Sequence, residues 1–137
     1  MKFYIDTCIW RDYFENRYDK YRALGKWALE FLNNAIEHRD KILYSDIVIK
    51  ELQISYSPKE IDNILSPFRK ENILEKVSPS KKQIILARNI NKKYKIGFCD
   101  ALHAVLAKEN NAALISRDKH FHKLENEINL FKPEDLL

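Results

Sequence analysis

The sequence predicts an α/β fold in one domain, residues 1–137: a three-layer sandwich with helices on both faces of a parallel sheet of about five strands. Three observations carry this. Short apolar runs of strand type alternate with longer segments of helical period, two of those runs are followed by an acid, and 137 residues at 45% hydrophobic are enough for one core. Parallel strands need crossover connections, and the helical segments supply them. An open sheet of this kind builds its ligand site beyond the carboxyl ends of its strands.

Phe3-Tyr4-Ile5 is the first strand, stopped by Asp6, and Thr7-Cys8-Ile9-Trp10 opens a helical segment. Residues 22 to 38 set Leu24, Trp27, Ala28, Phe31, Leu32, Ala35 and Ile36 at steps of three and four, the pattern of an amphipathic helix. Trp10, Trp27 and Phe31 fit either a helical core or a dimer face. Ile42-Leu43-Tyr44 is the second strand, and Ser45 is placed to cap a helix carrying Ile47, Val48, Glu51 and Leu52. Pro58 and Pro67 bracket a short helical piece containing Ile61, Ile64 and Leu65.

Ile73 to Val77 reads as the third strand. Ser78-Pro79 then starts a helix, because proline suits a first turn, and the period runs to Tyr94. Gly97 breaks it. A further helix from Phe98 to Asn110 leads into Ala113-Leu114-Ile115, the fourth strand, which ends before Ser116-Arg117-Asp118; Ile128 to Phe131 is the fifth.

Counting excludes whole classes of chemistry. With only Gly25 and Gly97, neither a phosphate-binding P-loop nor a dinucleotide-binding glycine turn can be written. Cys8 and Cys99 form neither a disulfide framework nor a close metal pair, and each reads as a small buried hydrophobe. The N-terminus meets a charge before an apolar signal segment develops, and no stretch approaches the ~20 apolar residues of a membrane span, so a cytoplasmic protein without a membrane partner is expected.

Four acids carry the chemistry. Asp6 and Asp118 follow strands at the edge where such sheets bind ligands. Glu51 shares the inward stripe of its helix with Ile47, Val48 and Leu52, and Asp100 opens the helix after Gly97, where a carboxylate also complements the helix dipole. A cluster of carboxylates without a matching His or Cys set selects a hard cation, Mg²⁺ or Mn²⁺, and such a site leaves positions for phosphate oxygens and water. Phosphodiester hydrolysis is the natural reaction.

These residues resemble a family. Asp6-Thr7-Cys8 after a strand, Glu51 within Ser45 to Leu52, Cys99-Asp100-Ala101-Leu102-His103-Ala104 and Ile115-Ser116-Arg117-Asp118-Lys119-His120-Phe121 look like the four motifs of PIN-domain ribonucleases, in order and over nearly the whole chain. The resemblance implies a sheet in order 3-2-1-4-5, with Asp6, Glu51, Asp100 and Asp118 as catalytic, metal-binding acids. It implies cleavage of single-stranded RNA by metal-activated water, and Ser116, the hydroxyl beside the last acid, as a substrate-binding residue. Cys8 stands where Ser or Asn is common. Small PIN domains are often toxins of toxin–antitoxin pairs, which implies a small antitoxin partner and a homodimer.

Net charge is +4, and seven basic residues lie from Lys76 to Lys95 without an acid. Of these, Lys81, Arg88, Lys92 and Lys95 fall on one side of a helix; Lys92 and Lys95, beside Asp100, are candidates for the RNA backbone, with a merely solvated face as the plainer reading. His103 fits a packed, hydrogen-bonded residue better than one that orients a carboxylate, and His120 and His122 read as surface. Two other functions stay open: a non-catalytic RNA-binding or scaffold domain, and, more distantly, a haloacid dehalogenase-like phosphatase, whose second acid is Cys8 here.

Overall fold

The computed structural model describes residues 1–137. In chain order the elements are β1 (Lys2–Ile5), α1 (Thr7–Glu15), α2 (Leu24–Glu37), β2 (Lys41–Tyr44), α3 (Asp46–Gln53) and α4 (Pro58–Lys70). They continue with β3 (Leu74–Lys76), α5 (Lys81–Tyr94), α6 (Phe98–Glu109), β4 (Ala113–Ile115), a 3-10 turn (Lys119–Leu124), β5 (Leu130–Phe131) and a second 3-10 turn (Pro133–Leu136). All strand pairs are parallel, in the order β3-β2-β1-β4-β5. No helix is long and apolar enough to cross a membrane.

β1 is central and buried, as Phe3, Tyr4 and Ile5 require; a strand covered on both sides reads as a continuous apolar run. Register then fixes the functional edge. Ile5 lies opposite Ile115, and the Asp6 N–H donates to the Ile115 carbonyl at 3.0 Å, which sets Asp6 beside Ser116. Helices flank this sheet: α1 packs with α2, and α5 with α6. Gly25 lets α2 approach the end of α1, since a Cβ there would meet the Asn16 Cα at 2.4 Å. Trp10 and Phe31 are core residues, and Trp27 is partly covered by Arg117.

Several local expectations change. α4 is a full helix of 13 residues that runs through Pro67. Interior proline costs about 3 kcal/mol. Burial of Ile61, Ile64, Leu65 and Phe68 outweighs that, at about 1.5 to 3 kcal/mol for each large side chain. α5 starts at Lys81 rather than at Pro79, because Ser80 and Gln83 form a reciprocal capping box. Ser45 occupies the cap position of α3 without capping; its hydroxyl is engaged by Tyr4 instead. The third and fifth strands are shorter than expected, although Ile73 and Val77 still bond to β2 through their backbone.

Candidate functional site

Asp6 sits at the junction of β1 and α1, where its backbone leaves the sheet and its side chain begins the helix. Its Oδ1 accepts the Thr7 N–H at 2.8 Å, and its Oδ2 accepts the Ser116 hydroxyl at 2.7 Å. The Cys8 thiol adds a weak donor to Oδ2 at 3.4 Å. Asp6 is 6% exposed, and these donors replace the water that its charge has lost.

Glu51 comes from the inward face of α3. Its Oε1 accepts the Thr7 hydroxyl at 3.0 Å and the His103 Nε2–H at 2.6 Å. A carboxylate only accepts, so the histidine presents Nε2–H to Glu51, and its Nδ1 is hydrogen-bonded to the Tyr4 hydroxyl 2.7 Å away. Tyr4 is bonded in turn to Ser45 at 2.6 Å. Partial burial works against the Glu51 charge, yet His103 and Thr7 hold its carboxyl below the ordinary range. Burial pushes the Tyr4 hydroxyl well above the usual tyrosine range and keeps it protonated. His103 is therefore packed and hydrogen-bonded as expected, and it also orients a carboxylate.

Asp100 stands in the first turn of α6, whose cap position is Gly97, and Asp118 caps the first 3-10 turn by accepting the His120 N–H at 2.9 Å. His120 Nδ1 lies 3.4 Å from Asp100 and 3.2 Å from Asp118. Burial, with Asp118 and Asp6 adding like charge, holds the Asp100 carboxyl above its usual range. The structure thus brings the candidates into two groups: Asp6 with Glu51 and His103, and Asp100 with Asp118 and His120. Within each group the ligand atoms lie within 4.8 Å of one another.

Other expectations are corrected here. Ser116, expected to meet substrate, is 3% exposed; its hydroxyl donates to Asp6 and accepts the Asp118 N–H at 3.0 Å, so it braces two acids instead. Cys99, in the first turn of α6, is exposed rather than buried. Lys95 leaves the basic stripe, since it takes a left-handed conformation after α5, and Lys76 is paired with Asp46 at 2.7 Å. Lys81, Arg88 and Lys92 remain exposed on α5. His120 is on the surface as expected, but its place between two acids depends on a turn that the helical and strand periods do not encode.

The PIN domain family model matches residues 3–127. Among solved structures the chain is similar to VapBC2 from Rickettsia felis bound to a DNA fragment from their promoter, with a TM-score of 0.67, 23% identity and coverage of 96% of this chain and 98% of that one. It is similar to VapBC-1 from nontypeable Haemophilus influenzae, with a TM-score of 0.67, 20% identity and coverage of 98% and 99%. A toxin-antitoxin complex from Klebsiella pneumoniae gives a TM-score of 0.63 at 18% identity, covering 95% and 96%. Among curated proteins no sequence relative matches.

Proposed function

The chain belongs to the PIN domain family, and from that premise we propose that it is a metal-dependent endoribonuclease hydrolysing phosphodiester bonds of single-stranded RNA. The supporting observation is that Asp6, Glu51, Asp100 and Asp118, from four separate elements, gather in two groups of possible ligands, Asp6 with Glu51 and Asp100 with Asp118. Asp100 is half-buried beside like charge, a situation that a cation relieves.

The donor set suits Mg²⁺ or Mn²⁺. Both ring nitrogens of His103 are engaged within the protein, and no thiol joins the acids as a thiolate: burial, with Asp6 adding like charge, drives the Cys8 thiol well above its ordinary range. Asp6, Glu51, Asp100 and Asp118 would hold the ion. A bound divalent cation supplies the Lewis-acid charge that activates water and offsets the charge of the scissile phosphate. The protein's own residues prepare that chemistry. Ser116 and the Thr7 N–H aim Asp6, while His103 and the Thr7 hydroxyl turn Glu51, whose bonds both fall on Oε1 and leave Oε2 free. Lys92 and Lys95, exposed where the chain leaves α5 for Asp100, draw the RNA backbone toward the acids.

We assign the protein to the toxin side of a toxin–antitoxin pair, with a small antitoxin protein as partner; the likeness to VapBC structures and to a toxin-antitoxin complex supports this partner. A homodimer as its assembly and the cytoplasm as its location belong to the same proposal. The deciding experiment incubates purified protein with single-stranded RNA and Mg²⁺ or Mn²⁺. Cleavage that stops with EDTA is expected; intact RNA under all conditions would overturn the assignment.

A further inference from the structure

Arg117 lies between Ser116 and Asp118 and belongs to a buried ion network on the other side of the same turn. Side chains alternate along an extended chain, so while Ser116 and Asp118 face the acids, Arg117 faces α1 and the C-terminal turn. Its Nε donates to Asp12 Oδ2 at 2.9 Å and its Nη1 to Glu134 Oε1 at 2.7 Å. Arg17 completes Asp12 by donating to Oδ1 at 2.8 Å, and the Trp27 ring lies 5.7 Å from the guanidinium. Asp12 has no exposed surface, and the Arg117 side chain keeps 13%.

Such a network is a weak way to gain stability, because desolvation cancels much of the attraction, and apolar replacements are often neutral or better. Here it is also incomplete: Arg117 Nη2 and Glu134 Oε2 are buried without partners. What it provides is position. A planar guanidinium that donates to two carboxylates from different elements has little freedom to shift. The backbone it fixes is the one that matters to the acids: Ser116 Oγ donates to Asp6 and accepts the Asp118 N–H.

We propose that Arg117 is a positioning residue for the reaction: held between Asp12 and Glu134, it fixes the turn from which Ser116 braces Asp6 and Asp118 enters the acid cluster. This rests on reading that cluster as a metal-dependent nuclease site. It makes the C-terminal turn, through Glu134, part of the machinery.

The test compares wild type with Arg117→Lys, Arg117→Met and Glu134→Gln. Amide hydrogen exchange of residues 116–120 is followed in EDTA, Mn²⁺ affinity by calorimetry, and kcat and KM on single-stranded RNA. Exchange in the turn should quicken by about tenfold while β1 and β4 stay protected. Mn²⁺ affinity should weaken by about tenfold, as for other residues that orient metal ligands. kcat should fall with KM unchanged, and Lys should not rescue, since one ammonium cannot replace the fork. Glu134→Gln leaves the Asp12 pair intact and serves where Arg117→Met fails to fold. Lower melting temperatures with wild-type exchange in the turn, Mn²⁺ affinity and kcat would reduce Arg117 to a stabilising residue and overturn the proposal. A wild type that neither binds Mn²⁺ nor cuts RNA would remove the nuclease reading, and the exchange comparison would still decide whether Arg117 fixes the turn.

Discussion

His103 and Glu51 are joined at 2.6 Å, a histidine with no exposed surface holding a carboxylate that is 34% exposed. Behind His103 the chain of hydrogen bonds runs through Tyr4 to Ser45, entirely inside the protein. The core therefore reaches the candidate site through one imidazole, and the site inherits the rigidity of the central strand.

His103→Phe keeps an aromatic ring in place and removes both bonds. It leaves the Tyr4 hydroxyl short of a partner and should cost about 1 to 3 kcal/mol in urea unfolding. Glu51 loses its stronger donor, and Mn²⁺ affinity should drop by about 10- to 100-fold. Unchanged affinity would show that Glu51 needs no help from His103.

Asp100 should show the cost of the acid cluster directly. Its carboxyl is held above the usual range by burial, Asp118 and Asp6. A raised carboxyl binds more protons folded than unfolded, so stability falls as pH rises from the unfolded value, 3.8, through the folded one. Asp100→Asn without metal should consequently melt above wild type near pH 7, with the gap closing on acidification. A variant that melts lower at both pH values would make Asp100 a helix-capping residue.

Metal should reverse that order. A cation binding only the folded state stabilises it by about 2.7 kcal/mol at one hundred times Kd, and Asp100→Asn should lose most of the gain. Asp6→Asn and Asp100→Asn should each lower RNA cleavage by at least ~10²-fold. Retained cleavage in both would remove the acids from the reaction.

Lys92→Gln with Lys95→Gln should weaken RNA binding evenly across sequences. Each single-strand phosphate contact contributes about 0.7 to the slope of log affinity against log salt, so the pair should flatten it by about one to two. An unchanged slope would return these lysines to the role of solvated surface. Mn²⁺ binding, measured in parallel, should not change.

The sequence by itself determined the sheet and the acids at its edge. Short continuous apolar runs bounded by turn residues read as buried strands, helical periods between them force parallel crossovers, and an acid just past a strand falls where that sheet opens; Asp6 and Asp118 follow from these local rules. Glu51 was legible because a carboxylate on an apolar stripe is an exception that needs a partner. Only the tertiary structure decided who the partners are. His103 and Glu51 are 52 residues apart, Ser116 and Asp6 are 110, and Arg117 and Asp12 are 105. No period relates such pairs, since hydrogen bonds of this kind depend on strand register and turn geometry. The same reason explains Ser45, whose hydroxyl suits a local cap in sequence but meets Tyr4 of the neighbouring strand once β1 and β2 pair. It also explains His120, which lies in an irregular turn and comes between Asp100 and Asp118 only when α6 and that turn pack together.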